Sequence, residues 1–166
     1  MAQEVKKGQF EIFDASAYRV GIVVAQFNRD VTDGLLESAL ETAEKYGISR
    51  EKVGVFRVPG SVEIPMVLKG LAETRKYDAL VALGAVIRGE TDHYDYVAKI
   101  VSEGVLRVMM DYGIPVGFGV LTCNTKEQAL ARAHSGGEAF VAALHSLRIL
   151  RGLVPRTRIN SVRGRP

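Results

Sequence analysis

Residues 84–97, GAVIRGETDHYDYV, decide the interpretation of this chain, because an apolar strand here runs into a glycine turn and then into a helix start that carries a histidine. The N–H groups of a helix's first turn are unpaired and the helix dipole is positive there, so such a turn can hold an oxyanion. His93 would lie beside that anion and could move protons near neutral pH. Alone, the pattern is equally typical of an ordinary strand-to-helix connection with an exposed histidine.

On either side of this stretch, apolar strand-like runs alternate with segments of helical period, which favours a parallel sheet covered on both faces. Strands are predicted at residues 19–26, 52–58, 79–87 and 115–122, and helices at about 31–46, 62–75 and 92–112. Thr125 and Gln128 form a capping box that predicts the start of a fourth helix. Gly136 and Gly137 are predicted to break it before a last helix.

The helical periods also predict which side chains face the core. For the third helix they are Val97, Ile100, Val101, Val105 and Val108, and for the last helix Phe140, Ala143, Leu144, Leu147 and Leu150. Residues 9–13 alternate like a short extra strand, which could pair with the edge of the sheet or with a neighbouring subunit.

These elements predict an α/β fold, a three-layer α/β/α sandwich of the flavodoxin-like type with four parallel strands, preceded by the short N-terminal strand. We divide the chain into an N-terminal segment at residues 1–18, the α/β domain at 19–151 and a basic tail at 152–166. The tail carries four arginines and no acid, and its composition predicts disorder. Binding of nucleic acid is the alternative, which the absence of interleaved aromatic residues does not favour.

Length and composition fit one domain, since the 166 residues are 47% hydrophobic and 25% charged. The N-terminus lacks the apolar core of a signal peptide, and the longest apolar run is too short to cross a bilayer, so a cytoplasmic protein without a membrane anchor is expected. The single Cys123 excludes an internal disulfide and predicts a small buried side chain. The three histidines lack zinc-ligand spacing, so no structural metal is expected.

Ligands of an open parallel sheet collect at the carboxyl ends of its strands. The residues predicted at those ends include two aromatic side chains, a carboxylate and the histidine turn: Phe27 and Asn28, Ser61 and Glu63, Gly89, Thr91 and His93, and Phe118 and Thr122. Arg132, in the following helix, adds a cation that can reach a phosphate with a fork of donors. Each residue alone has an ordinary structural role, but their joint placement favours a binding site.

Four strings in this order, QFN, VPGSVEIP, GAVIRGETDHYDYV and FGVLTCNTKEQALAR, resemble the lumazine synthase family over about residues 19–150. The resemblance implies a condensation that needs no cofactor. It joins 5-amino-6-(D-ribitylamino)uracil to 3,4-dihydroxy-2-butanone 4-phosphate and yields 6,7-dimethyl-8-ribityllumazine, phosphate and water. This is the penultimate step of riboflavin biosynthesis, and the enzyme is a transferase.

The resemblance also implies where the uracil substrate binds. Phe27 would stack on the pyrimidine, and Glu63 would accept the ribityl hydroxyls. The residues implied for this half are Phe27 and Asn28, Ser61, Val62 and Glu63, the backbone of Ala85, Val86 and Ile87, and Phe118 from an adjacent subunit.

For the second substrate, the resemblance implies that the phosphate is held by the backbone of Glu90 and Thr91 and by Arg132. His93 would transfer protons, oriented by Glu138, and Arg132 would stabilise the departing phosphate. His93, Arg132 and Glu138 are thus the implied catalytic residues.

One segment departs from the family. Residues 133–137 are several residues shorter than usual, and Ser135 takes the place of a family lysine. The same bend influences whether such chains form pentamers, decamers or sixty-subunit shells, and the resemblance implies at least a pentamer, with riboflavin synthase as a further partner. The alternative is a catalytically weak paralogue that binds a lumazine or flavin, or that serves as a container.

Overall fold

The computed structural model describes residues 7–153, which build a parallel sheet between two layers of helices. The strands are β1 (Val20–Ala25), β2 (Val53–Val58), β3 (Ala79–Ile87) and β4 (Val116–Cys123). The helices are α1 (Arg29–Lys45), α2 (Ile64–Thr74), α3 (His93–Tyr112), α4 (Lys126–Leu130) and α5 (Ser135–Leu153), with short 3-10 helices at Arg50–Lys52 and Ser61–Glu63. The predicted α/β/α fold with four parallel strands is confirmed.

The strand order is β2-β1-β3-β4, so the chain changes direction across the sheet between β1 and β3. Pairing of β1 with β3 ends at Val24 and Leu83, whereas β3 stays paired with β4 as far as Ile87 and Cys123. The last four residues of β3 therefore extend beyond β1. Such a topological switch point opens a crevice at the carboxyl edge of the sheet.

Each face of the sheet has its own core. Helices α1 and α5 cover one face, with Phe140 and Leu144 fully buried and Cys123 6% exposed. Helices α2 and α3 cover the other face, where Leu68 and Val101 are fully buried. Each such apolar side chain contributes about 1.5–3 kcal/mol on burial, and the two cores hold the strand ends in place.

Local signals in the sequence set several element boundaries. The Thr125 side chain accepts from the N–H of Gln128, and the Gln128 side chain accepts in return, so the predicted capping box is confirmed. Pro65 lies in the first turn of α2, where its missing N–H costs nothing. Gly113 ends α3 with a φ of 60°, a left-handed conformation that glycine adopts without strain.

The predicted helix break at Gly136 and Gly137 is wrong. Both glycines lie in the first turn of α5, and the break comes earlier, at residues 131–134. A Cβ on residue 136 would lie 1.9 Å from the carbonyl oxygen of Leu35. These glycines are therefore needed for the close approach of α5 to α1.

Two further predictions need correction. Ile100 and Leu150 are 48% and 42% exposed, so neither faces the core. Residues 9–13 form no strand in this chain and pair with neither edge of the sheet. Instead Phe10 and Phe13 pack against the ring of His145, at centroid distances of 5.0 and 5.1 Å. Pairing of residues 9–13 with a neighbouring subunit stays a prediction.

Most of the basic tail, residues 154–166, lies outside the described part of the chain. Within residues 7–153, none of the helices has the length and apolarity needed to span a bilayer.

Candidate active site

The end of β1 presents an aromatic ring to solvent. Phe27 is 67% exposed, and its N–H donates to the carbonyl of Pro59 at 2.9 Å. Its ring lies over Gly60, where an added Cβ would be 2.7 Å from the ring carbon Cδ2. Glycine at residue 60 therefore lets the loop after β2 pass directly beneath the ring. The exposed ring is available to stack on a planar ligand.

Asn28 connects the two sides of the switch point. Its backbone is left-handed, with φ 59° and ψ 48°, a conformation that asparagine tolerates better than most residues. Its Nδ2 donates to the carbonyl of Ala85 at 3.0 Å, across the gap where β1 and β3 no longer pair. Backbone groups alternate along a strand, so those of Ala85 and Ile87 face this crevice while those of Val86 face β4.

The 3-10 helix after β2 forms the next wall. Ser61 is 6% exposed and lies against Gly84, where an added Cβ would be 2.5 Å from the Ser61 Oγ. Glu63 is exposed, and its Oε2 accepts from the N–H of Gly60 at 2.9 Å. Val62, between them, is 37% exposed. A carboxylate and an apolar side chain thus stand at the mouth of the crevice beside a buried hydroxyl.

The turn after β3 is exposed from Arg88 to His93. Asp92 is the N-cap of α3, but its side chain accepts no capping hydrogen bond. The N–H of His93 makes a long bond of 3.4 Å to the Thr91 Oγ1. Within residues 7–153 no carboxylate forms an ion pair with the His93 ring. The helix start and its histidine are therefore open to a bound anion.

Arg132 lies in the turn after α4 and is exposed. One guanidinium nitrogen donates to the carbonyl of Gln128 at 2.9 Å, which leaves most of its five N–H donors for a ligand. An ion pair between Lys126 and Asp30, at 2.5 Å, joins the first turns of α4 and α1. The Lys126 hydrogen bond holds the pKa of Asp30 below its usual value, so this contact persists in mildly acidic solution.

Within this chain, Glu138 and Phe118 lie apart from the partners that the family resemblance implies for them. Glu138 contacts Lys7 and, at 3.7 Å, the Nε2 of His134, rather than His93. Phe118 is 46% exposed and is the third residue of β4, opposite Ala82 in the middle of β3. It therefore lies well before the carboxyl end of its strand.

Sequence reasoning placed Arg88 in the turn that could hold an anion but gave its side chain no role. Its guanidinium contacts Asp95, Asn124 and the ring of Tyr94, so it bridges α3 and the loop after β4. The available signal was charge, since Arg88 is the one lysine or arginine in residues 88–95, which hold three acids.

Residues 7–153 contain no group of three or more His, Cys, Asp or Glu side chains that could hold a metal ion. The groups present can instead stack on a planar ring, accept hydroxyl hydrogens, hold an anion and transfer a proton.

Known proteins are similar in sequence to this chain over most of its length. Residues 17–151 match the family described as 6,7-dimethyl-8-ribityllumazine synthase. A protein of that name from Coxiella burnetii is 51% identical over 123 residues, which are 74% of this chain and 80% of that protein. Another from Desulfovibrio desulfuricans is 43% identical over 145 residues, 84% of this chain and 93% of that protein. The chain belongs to the 6,7-dimethyl-8-ribityllumazine synthase family.

Proposed function

We propose that this protein is the transferase that condenses 5-amino-6-(D-ribitylamino)uracil with 3,4-dihydroxy-2-butanone 4-phosphate to give 6,7-dimethyl-8-ribityllumazine. One observation carries the proposal within the family. An exposed aromatic ring, an exposed carboxylate and a histidine-bearing helix start follow β1, β2 and β3 at one edge of the sheet. These groups match a planar polyol-bearing substrate and a phosphorylated one.

The uracil substrate fits the walls around the switch point. Its ring stacks on Phe27, and its polar edge meets the outward backbone groups of Ala85 and Ile87, next to Val86. The ribityl hydroxyls donate to Glu63 and contact Ser61 and Val62. We group Asn28 with these residues because it fixes the carbonyl of Ala85.

The phosphate of the second substrate fits the start of α3. The N–H groups of Glu90 and Thr91 face the anion, and the carboxylate of Glu90 points away because it would repel it. Arg132 supplies a charged fork of donors to the phosphate oxygens. The same guanidinium stabilises the phosphate as it leaves.

The chemistry then requires little beyond proton transfer. The 5-amino group adds to the ketone, water leaves as an imine forms, and phosphate is eliminated. The ribitylamine nitrogen closes the ring with loss of a second water. In this proposal His93 accepts and donates these protons, a role that imidazole side chains often fill in catalysis. Holding two substrates in contact supplies much of the remaining acceleration.

Part of the site comes from a neighbouring subunit in this proposal. Phe118 closes the pyrimidine pocket across that interface, and Glu138 orients His93 across it. Both roles need a second chain, because within one chain Phe118 lies in mid-strand and Glu138 contacts Lys7 and His134. The family resemblance implies at least a pentamer, and we propose a cytoplasmic protein with riboflavin synthase as a candidate partner.

The test is direct. Purified protein is mixed with both substrates, and formation of the fluorescent lumazine is followed against a reaction without protein, because the condensation also proceeds unaided. We expect acceleration that falls in His93→Ala and Arg132→Ala. Absence of acceleration refutes the proposal.

A second function rests on one feature that the family resemblance implies: segment 133–137 is shorter than usual, and Ser135 takes the place of the family's lysine. Loss of that contact would leave a protein that binds a lumazine or flavin, or that serves as a container. Ligand binding without acceleration in the same experiment would support it.

A further inference from the structure

Arg88 contacts three groups at the start of α3 and beyond it. Its terminal nitrogen Nη2 donates to the Asp95 Oδ1 at 3.3 Å, and its Nε donates to the Asn124 Oδ1 at 3.3 Å. The guanidinium carbon lies 4.2 Å from the centroid of the Tyr94 ring, which is cation–π geometry. One side chain thus holds the first turn of α3 and the loop after β4 together.

Both ends of this bridge are fixed. The N–H of Arg88 donates to the carbonyl of Cys123 at 2.9 Å, directly after the last strand pair of β3 and β4. The N–H of Asn124 donates to the Gln128 Oε1 at 2.9 Å, inside the capping box of α4. Residues 89–92 connect the end of β3 to the first turn of α3. The Arg88 side chain joins this first turn to the loop after β4.

The positive charge of Arg88 offsets part of the negative charge at the start of α3. Glu90, Asp92 and Asp95 surround the helix start, and the guanidinium of Arg88 pairs with one of them. An unpaired Asp95 would repel a phosphate dianion at the start of α3. The side chains of Arg88 and Asp95 are 44% and 59% exposed, so solvent weakens this effect without removing it.

We propose that Arg88 is a positioning residue for the phosphate-bearing substrate. It holds residues 89–92 so that their N–H groups converge on the anion, and it cancels the charge of Asp95 beside them. Its guanidinium stays on Asp95, Asn124 and Tyr94 and does not touch substrate. This inference rests on the proposed function, which places the phosphate at the start of α3.

The test compares Arg88→Met with a matched control, Arg107→Met. Arg107 is also on α3 and pairs with Asp111, but it lies fourteen residues after His93, about 21 Å along the helix. We expect Arg88→Met to raise the KM for the butanone phosphate about five- to tenfold while the KM for the uracil substrate stays within twofold. Arg107→Met should change neither KM.

Two further variants test how Arg88 acts. Arg88→Lys keeps the charge without the planar fork, so its KM for the butanone phosphate should fall between those of the wild type and Arg88→Met. Adding Asp95→Asn to Arg88→Met removes the unpaired acid, so it should recover part of the lost affinity. Circular dichroism and the assembly size should match the wild type in all variants.

Inorganic phosphate separates this inference from the proposed function. Calorimetry should show weaker phosphate binding to Arg88→Met than to the wild type, whether or not the protein accelerates lumazine formation. Absence of acceleration by the wild type would refute only the proposed function. Equal phosphate affinities, a wild type that binds no phosphate, or an equal rise in both KM values would overturn the role of Arg88.

Discussion

The substitution Gly60→Ala should impair substrate binding while leaving the stability of the fold nearly unchanged. Residue 60 has φ −137° and ψ −179°, extended backbone that alanine adopts freely, so the main chain can stay in place. The new Cβ would however lie 2.7 and 2.9 Å from two carbons of the Phe27 ring and 3.2 Å from the Glu63 Oε2. Ordinary carbon contacts are about 3.5–4.0 Å, so the ring must move by roughly 1 Å.

The free energy of unfolding should change little, because Phe27 is 67% exposed and can swing away into solvent. Replacing glycine also restricts the unfolded chain, which offsets about 0.4–1 kcal/mol of any strain. Substrate binding should suffer instead. Stacking on an aromatic side chain contributes about 1–3 kcal/mol per base, and a displaced ring should lose about 1–2 kcal/mol of it. That is roughly a five- to thirtyfold rise in the KM for the uracil substrate.

The assay is steady-state lumazine fluorescence with the uracil substrate varied, together with urea unfolding of the same preparation. Phe27→Ala should raise the same KM at least as much. Gly70→Ala is the matched control, because an added Cβ there meets nothing within 4 Å, and both KM values should stay unchanged. A wild-type KM in Gly60→Ala would refute the stacking role of Phe27.

Three more predictions concern stability. Gly136→Ala should cost about 2–3 kcal/mol and lower the Tm by roughly 4–12 °C in calorimetry, because its Cβ meets the Leu35 backbone; an unchanged Tm would contradict this close packing. Arg151→Met should lower the free energy of unfolding by about 1–3 kcal/mol in urea, because Asp78 is only 20% exposed and loses a 2.5 Å ion pair. Arg107→Met removes an exposed ion pair and should lower the free energy of unfolding by less than about 0.5 kcal/mol. Burial holds the pKa of His145 below its ordinary 6.5. The unfolded chain therefore binds a proton at this histidine more readily than the folded chain does. The free energy of unfolding is thus highest above pH 6.5 and decreases as the pH falls through the folded pKa of His145. His145→Gln should lose less stability between pH 7.5 and 5.5 than the wild type does, and equal losses would contradict the assignment.

The sequence predicted the sheet well because each buried strand is a short apolar run bounded by turn residues. The bounds of β3, at residues 79–87, are those observed. The face of α3 was predicted less well at its margin. Val97, Val101, Val105 and Val108 are buried as expected, but Ile100 is 48% exposed. A helical period locates the centre of an apolar stripe, whereas its width depends on how closely α3 lies against the sheet.

Glycine is the residue whose role the sequence could least define. Gly136 and Gly137 were interpreted locally, as helix breakers, although their function is to admit the backbone and side chains of α1. Gly60 and Gly84 similarly make room for Phe27 and Ser61. In each case the residue that contacts the glycine is more than twenty residues away along the chain, so no local sequence pattern predicts the contact.

The bridging role of the Arg88 side chain was missed for the same reason. Its partner Asn124 is 36 residues away, and the two meet only because Ile87 pairs with Cys123 at the end of the sheet. Exposed residues that follow strands were predicted as candidates from sequence, since every strand end reaches the same edge. Residues that position these candidates, such as Arg88, can be identified only when the strand register is known. The periodicity of a single sequence does not provide that register.

The proposed role of Phe118 in the pyrimidine pocket requires a site shared between chains. It is five residues before Cys123, so it lies about 16 Å along β4 from the strand's carboxyl end. A single-chain site would have to bring that ring to Phe27, past the paired strands β3 and β1. Rearranging the sheet is not a realistic way to do so. A second copy can present its Phe118 to the crevice without any such change. In a mixture of Phe118→Ala and Phe27→Ala chains, some sites would then combine the intact Phe27 of one chain with the intact Phe118 of the other. Recovery of activity on mixing is the expected result, and two variants that stay inactive together would refute a shared site.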